Sequence, residues 1–309
     1  MFRTSKAFLG IAYTTSFLFI LLAIISPEIT STLAPWLVVF SVFFIGIPHG
    51  AIDHIMAAEI FETEFKFKQQ AIFYSSYLLL MFILGGIWIM FPIAGMVIFL
   101  IISVYHFGQA DIEDFVSVKH STITFWYLAR GSFIILLIIF SDSSVSFPIL
   151  EQAMNLDTGI LSAKLSGFSQ APYILLAIYL FLIITGISTG YFSNNILFAT
   201  DHLILIALFY FTGPLIGFAV YFAVWHSAGH IFEMSGFLKN KGRKFNILLF
   251  YKMALPFTAV SIFGLFALLY LQNAFGVQEM FLTLMFILIS VLTLPHMLIV
   301  HKMYSMQKS

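Results

Sequence analysis

The chain has 309 residues, of which 61% are hydrophobic and only 9% are charged, and it contains no cysteine. Soluble domains carry roughly a quarter charged residues, so this composition excludes a soluble globular protein. The 14 basic residues balance the 14 acidic ones, and no basic patch with interleaved aromatic residues indicates nucleic acid as a partner. The lack of cysteine also excludes disulfides, thiolate metal ligands and a cysteine nucleophile.

Apolar runs long enough to cross roughly 30 Å of hydrocarbon as helices recur along the whole chain. The first run follows Arg3 and Lys6 and has no clear small-residue cleavage site before Pro27, so we predict a retained span and not a signal peptide. Ten spans are predicted, at residues 7–26, 33–54, 71–91, 93–110, 123–141, 172–190, 195–211, 214–234, 246–271 and 279–301.

One longer amphiphilic segment, from Ser141 to Gln170, is expected to form a pair of surface helices over the mouth of the bundle. No internal repeat, low-complexity tract or soluble linker divides the chain. Residues 1–309 are therefore predicted to form a single transmembrane domain, an all-α polytopic bundle of about ten helices.

The basic residues fix the predicted orientation. With the N-terminus in the cytoplasm, only Lys164 remains on the outer side, as the positive-inside rule requires. The inner loops then hold Arg3, Lys6, Lys66, Lys68, Lys119, Lys239, Lys241, Arg243, Lys244, Lys302 and Lys308. The sequence thus predicts a multi-pass protein of the cell inner (cytoplasmic) membrane with both termini in the cytoplasm.

All nine histidines fall in the inner half of this topology. They lie at the inner ends of the second, fourth, eighth and tenth spans, in one inner loop, and two turns into the seventh span: His49, His54, His106, His120, His202, His226, His230, His296 and His301. Ionisable residues within spans are costly and usually face the bundle interior, so the cluster predicts a functional site. The alternative for any single histidine is an interfacial residue that bonds to a loop.

Helical spacing indicates which of these histidines can lie on the same face of a helix. His226 and His230 are four residues apart, about 40° around a helix, so both can reach one ion. Histidines five residues apart, as in His49 with His54 and His296 with His301, diverge on a regular helix, so one member of each pair should point elsewhere.

Two carboxylates accompany these histidines. Asp53, four residues after His49, is expected to accept the second ring proton of a ligand histidine, and Glu233 could be a supporting base or an extra ligand. Both could instead be interfacial carboxylates. Gly46, Pro48 and Gly50 predict a disturbed helix around His49. Imidazole suits zinc, copper, iron and nickel, so spacing leaves the metal open.

Four motifs carry a family resemblance. In chain order they are Gly46-Ile47-Pro48-His49-Gly50-Ala51-Ile52-Asp53-His54, Tyr105-His106-Phe107-Gly108-Gln109-Ala110-Asp111, Trp225-His226-Ser227-Ala228-Gly229-His230 and Pro295-His296. Together they resemble the Brp/Blh family of integral-membrane β-carotene 15,15′-dioxygenases. The resemblance covers most of the chain, from the second span to the tenth.

The resemblance implies a non-haem Fe(II) enzyme that uses O2 to cut the central double bond of β-carotene into two all-trans-retinal molecules. The implied iron ligands, which are also the catalytic residues, are His49, His106, His226 and His230. Supporting or structural roles around the iron are implied for Asp53, His54, Asp111, His296 and His301, and expected for Glu233. β-Carotene dissolves only in lipid, so a metal near the membrane surface would take it sideways from the bilayer.

Aromatic residues make up 18% of the chain, with 38 phenylalanines, and most of them are expected to pack helices or face lipid. Those that flank the histidines are predicted to line the substrate tunnel and to stabilise cationic character on the polyene: Phe43, Phe44, Tyr105, Phe107, Tyr221, Phe222 and Trp225. A functional link to a retinal-binding rhodopsin is a further implied partner, besides membrane lipid.

Three alternatives stay open at this point. A histidine-rich membrane desaturase or hydroxylase would need more ligands in several closely spaced boxes, whereas only one His-x-x-x-His occurs here. An ion-coupled transporter would carry polar residues at mid-membrane or on both sides, and the outer half is nearly bare. A family member without cleavage activity, acting as a helper in retinal production, would have the same ligands.

Overall fold

The computed structural model describes residues 5–61, 66–116, 122–274 and 281–307. Within these ranges the chain is helical and forms no strand. The helices are α1 Lys6–Ile25, α2 Pro27–Phe40, α3 Ile47–Gly50, α4 Asp53–Ile60, α5 Phe67–Met90, α6 Pro92–Ile112, α7 Ile123–Phe140, α8 Ser143–Ala153, α9 Ile160–Leu165, α10 Ala171–Ser188, α11 Asn195–Val220, α12 Gly229–Asn240, α13 Ile247–Ala274 and α14 Phe281–Gln307. His120 lies outside the described residues.

Nine helical segments of the described chain are long and apolar enough to cross a membrane, so this is an all-α membrane protein. One of them, Asn195–Asn240, has 46 residues. At about 1.5 Å per residue it would be roughly twice as long as the hydrocarbon is thick. It is broken at Gly213, whose φ of 69° and ψ of −173° are not helical, directly before Pro214. The seventh and eighth predicted spans lie on either side of this break.

Short helices fill the predicted amphiphilic segment, as expected. Helices α8 and α9 both fall between Ser141 and Gln170. Helix α9 starts after Gly159, whose positive φ of 92° favours a residue without a Cβ atom.

The chain packs as two compact units. Unit 1 comprises residues 1–42, 103–148 and 159–233, and unit 2 comprises residues 43–102, 149–158 and 234–309. The C-terminal part of α6 therefore belongs to unit 1 and its N-terminal part to unit 2. The single transmembrane domain inferred from the sequence stays a prediction.

Unit 1 is built around α11, which packs against α1, α2 and α7, while α10 packs on α7. Helices α6 and α7 approach most closely at Gly108 and Gly131. A Cβ atom on Gly108 would lie 1.7 Å from the Tyr127 carbonyl oxygen, and one on Gly131 would lie 1.7 Å from the Val104 carbonyl oxygen. Small residues at such crossings let membrane helices touch backbone to backbone. The crossing fixes the part of α6 that carries His106.

Unit 2 is built around α14, which packs against α3, α4, α5 and α13. Its apolar core includes Leu84 and Trp88 of α5 and Val291 of α14, all at most 8% exposed. The Trp88 indole N–H donates to Ser290 Oγ at 2.9 Å, which pairs the one polar atom of that ring in apolar surroundings. The core holds the segment of α14 that carries His296.

Two π-helical segments interrupt the spans that bear the histidine motifs. The first, Ser41–Gly46, ends three residues before His49, and the second, Tyr221–Ala228, contains His226. Helix α3 then ends at Gly50, and a turn at residues 51–52 separates it from α4. The predicted disturbance around His49 is therefore present. π-Helical turns are rare and often occur at functional sites.

Candidate metal site

Three buried imidazoles face one another within unit 1. The ring centroids of His106 and His226 are 4.8 Å apart, those of His226 and His230 are 4.8 Å apart, and those of His106 and His230 are 5.2 Å apart. All three side chains are at most 1% exposed. His106 comes from α6, His226 from the second π-helical segment and His230 from the first turn of α12. We call these residues the histidine trio.

The spacing of the trio fits a shared metal ion. Metal–nitrogen bonds of about 2.0–2.1 Å place each ring centre roughly 3.2 Å from the ion, so rings at octahedral or tetrahedral angles are about 4.5–5.3 Å apart. His106 offers a ring nitrogen within 4.8 Å of one on His226, and also within 4.8 Å of one on His230. Nitrogen donors of this kind suit iron and other first-row metals. The buried histidines could therefore hold a metal ion.

Glu233 is the carboxylate next to the trio. Its Oε2 lies 3.2 Å from Nδ1 of His230, and its side chain is 2% exposed. A carboxylate this close to a ring nitrogen can support a histidine that binds a metal through its other nitrogen. Of the two roles expected for Glu233, the contact favours a supporting one.

Aromatic rings surround His226. Phe107 lies 4.7 Å away and Phe222 5.8 Å away, while the Tyr221 ring is stacked at 6.4 Å, all between ring centroids. These rings are at most 6% exposed, so they keep water from this side of the trio.

For the other four aromatic residues, a place along the tunnel stays a prediction. Tyr105 packs edge-on against Tyr127, and Trp225 donates from its indole nitrogen to Ser16 Oγ at 3.0 Å. In unit 2, Phe44 is 58% exposed and Phe43 is buried.

Unit 2 contains a second histidine group. The rings of His49 and His296 are 4.7 Å apart and nearly perpendicular, at 85°. His49 Nδ1 donates to the Gly46 carbonyl oxygen, whereas His296 Nδ1 donates to Asp53 Oδ1 at 2.8 Å. Asp53 Oδ2 accepts from the Tyr77 hydroxyl at 2.9 Å.

Asp53 was expected to accept the second ring proton of a ligand histidine, and the histidine that donates to it is His296. A turn at residues 51–52 separates the helix that carries His49 from the helix that carries Asp53. Asp53 supports His296, which is 243 positions away in the chain. Nothing in the local sequence shows this pairing.

The second member of each five-residue pair points elsewhere, as predicted. His54 lies between Phe257 and Tyr74, at ring distances of 4.7 and 6.4 Å. His301 is exposed, while His296 is 3% exposed.

Asp111 holds a buried ion pair in unit 1. Its Oδ2 accepts from Arg130 Nε at 3.0 Å and from the Tyr221 hydroxyl at 3.2 Å. Because the Tyr221 ring is one of those around His226, the bond from Tyr221 to Asp111 helps to hold an aromatic ring beside the trio.

An apolar groove of about 460 Å³ opens on unit 2 beside the second histidine group. Two of its wall residues, Leu78 and Val260, are 49% and 67% exposed, so the groove is open at the outer surface of the helices. Its lining is Ile47, Gly50, Ala51, Asp53, His54, Phe73, Tyr74, Tyr77, Leu78, Met81, Phe257, Val260, Ser261 and Leu292. We call it the unit 2 groove. The sequence signal for this groove is the helical spacing of three aromatic residues along α5, namely Phe73, Tyr74 and Tyr77.

Comparison with known proteins identifies the family of this chain. A family model described as β-carotene 15,15′-dioxygenase matches residues 40–304. The chain belongs to this family. The β-carotene 15,15′-dioxygenase of uncultured marine bacterium 66A03 is 27% identical over 275 residues, which cover 87% of this chain and 93% of that relative. No solved structure matches the chain. The resemblance seen in the sequence motifs is thereby confirmed.

Proposed function

We propose that this protein cleaves the central 15,15′ double bond of β-carotene with O2, and that it releases two molecules of all-trans-retinal. Family membership supports carotenoid cleavage by an oxygenase. The observation that carries the proposal in the structure is the trio of buried imidazoles in unit 1. The reaction balances, because each retinal takes one oxygen atom of O2 and no external reductant is needed.

We further propose that His49, His106, His226 and His230 hold a non-haem Fe(II) ion, in the cytoplasmic membrane. Bound iron would activate O2 toward the electron-rich central double bond. Glu233 orients His230, and the Gly46 carbonyl oxygen orients His49, so each presents Nε2 as the donor atom. Phe107, Tyr221 and Phe222 exclude water from His226 and give a polyene an apolar surface.

The unit 2 groove is proposed to bind one arm of β-carotene, including its cyclic end. Its walls are almost wholly apolar, it opens sideways where lipid would lie, and it begins at Gly50 and Asp53 beside the second histidine group. Positioning the polyene is the main task left to the protein, since only the central bond must meet the oxidant.

Filling the groove tests this assignment. Val260→Trp should raise KM for β-carotene about tenfold, as expected when buried apolar contact worth about 1.4 kcal/mol is lost, with iron content unchanged. Val260→Ile is the matched control. An unchanged KM in the Trp variant would place the substrate elsewhere.

Expression in β-carotene-producing bacteria tests the function itself. Loss of orange colour together with accumulation of retinal is expected, and chromatography of the products identifies the cleaved bond. Apocarotenal fragments of unequal length would still indicate an oxygenase, but they would contradict cleavage at the central bond. Unchanged colour in cells that contain the folded, iron-loaded protein would favour a helper without cleavage activity.

The remaining alternatives have distinct outcomes. A desaturase-type centre needs two irons per chain, whereas we expect one. Among the described histidines, His202 uses both ring nitrogens in hydrogen bonds and His301 is exposed, which leaves too few for a second iron. Solute uptake by proteoliposomes without oxygen consumption would instead support a transporter.

A further inference from the structure

Unit 2 links a buried carboxylate, a buried imidazole and a half-buried phenol in one chain of hydrogen bonds. His296 Nδ1 donates to Asp53 Oδ1 at 2.8 Å, and the Tyr77 hydroxyl donates to Asp53 Oδ2 at 2.9 Å. His296 and Asp53 are each 3% exposed. The three residues come from α14, α4 and α5, so tertiary packing alone assembles them.

The chain of hydrogen bonds determines which nitrogen of His296 can bind a metal. Asp53 is positioned to accept the proton on Nδ1, so Nε2 carries the electron pair. Metal-bound histidines commonly show this arrangement, with a carboxylate on the nitrogen remote from the metal. A partner hydroxyl such as that of Tyr77 holds the carboxylate in turn.

A neighbouring imidazole indicates that these hydrogen bonds do more than join helices. The His49 ring lies 4.7 Å from the His296 ring and at 85° to it, and its Nδ1 is occupied by the Gly46 carbonyl oxygen. Both histidines therefore present Nε2, at a ring separation within the range of about 4.5–5.3 Å for ligands of one ion. A hydrogen bond that merely joins α4 to α14 would not require this second ring.

We propose that His296 is an additional ligand of the iron, bound beside His49, and that Asp53 and Tyr77 position it. The inference rests on the proposed function and extends its ligand set from four imidazoles to five. Asp53 and Tyr77 act through His296 and are positioning residues.

Metal binding by the purified full-length protein tests the ligand. Co(II) is a suitable probe, because the intensity and position of its visible bands report the number and kind of ligands. His296→Ala should weaken Co(II) affinity by more than the roughly 10- to 100-fold that supporting residues cause, and should change the visible spectrum. Free imidazole should restore the wild-type spectrum. His296→Gln, which keeps a polar side chain, serves if the alanine variant does not fold.

The positioning residues give graded effects. Asp53→Asn should reduce Co(II) affinity about 10- to 100-fold, and Tyr77→Phe should reduce it less, since Asp53 remains. Thr293→Val is the control. It removes a hydroxyl from the same helix, one turn before His296, where Thr293 donates to the Ile289 carbonyl oxygen at 2.6 Å.

The outcomes separate this inference from the proposed function. If the wild-type protein forms no retinal and binds no Co(II), the proposed function fails. If the wild type does both, and folded His296→Ala or His296→Gln keeps wild-type Co(II) affinity and spectrum, then the inference alone is overturned. A purely structural His296 would show lowered unfolding stability with unchanged Co(II) affinity in the folded fraction.

Discussion

Unit 1 contains buried histidines in two different settings. His202, in the middle of α11, has both ring nitrogens in hydrogen bonds: Nδ1 donates to the Phe198 carbonyl oxygen at 2.6 Å, and Nε2 accepts from the Tyr179 hydroxyl at 2.6 Å. The trio of His106, His226 and His230 instead packs imidazole against imidazole. All four residues are almost completely buried.

The comparison shows that burial does not identify a ligand histidine. A buried imidazole must be satisfied, and His202 is satisfied by protein groups on both sides, which leaves no electron pair for a metal. The trio packs donors of the same kind side by side, an arrangement that a bound cation would stabilise. Substitutions at these histidines and at their partners test the contrast.

The largest effect is expected from the trio itself. His226→Ala or His230→Ala should abolish iron retention and retinal formation, by about 100-fold or more, since each removes a donor and not merely its support. Elemental analysis of purified protein and chromatography of retinal measure the two losses. Normal iron content with normal turnover in either variant would remove that residue from the metal site.

Glu233→Gln should have the next largest effect. The neutral amide interacts with the His230 ring less strongly than the carboxylate whose Oε2 lies 3.2 Å from Nδ1, so metal affinity should fall about 10- to 100-fold. Chelator competition measures the change. Glu59→Gln is the matched control, because Glu59 pairs with the exposed Arg243 side chain. Equal affinities in the two variants would rule out support of His230.

His202→Ala should act on stability alone. It removes two hydrogen bonds, at a cost of about 1–3 kcal/mol in the free energy of unfolding. Unfolding in mixed detergent micelles measures the cost, and elemental analysis should show full iron content. Loss of iron from the folded variant would mean that His202 belongs to the metal site after all.

Tyr179→Phe should have the smallest effect, about 1 kcal/mol, since it removes the hydroxyl and leaves the ring in place. The Tyr179 ring stacks on Phe133 at 4.4 Å, and this contact persists in the variant. The same unfolding measurement applies. If Tyr179→Phe lowers the free energy of unfolding as much as His202→Ala does, the hydroxyl accounts for the whole stabilising effect of the contact between Tyr179 and His202.

Much of the site could be predicted from the sequence because it depends on local geometry. The four-residue spacing of His226 and His230 keeps the two rings together even though a π-helical segment precedes α12. The five-residue spacings predicted that one member of each pair points away, and these members are His54 and His301. The break at Gly213 and Pro214 also falls where the predicted spans divide.

Contacts between distant helices could not be predicted from the sequence. The turn at residues 51–52 ends the regular helix after His49, and the histidine that donates to Asp53 comes from α14. Of the aromatic residues next to histidines in sequence, Phe107, Tyr221 and Phe222 lie around His226, whereas Trp225 faces Ser16. Adjacency in the chain does not determine the direction of a side chain where helices are irregular.

Hydrophobic lengths, charges and short motifs are properties of contiguous residues, so they suffice to identify a histidine-bearing helical membrane protein of the carotenoid-cleaving family. Helix packing was needed to show which histidines face each other, that Asp53 accepts from His296 across 243 positions, and where a groove opens. Backbone hydrogen bonding fixes relations over three or four residues, whereas relations between distant helices depend on how whole surfaces pack.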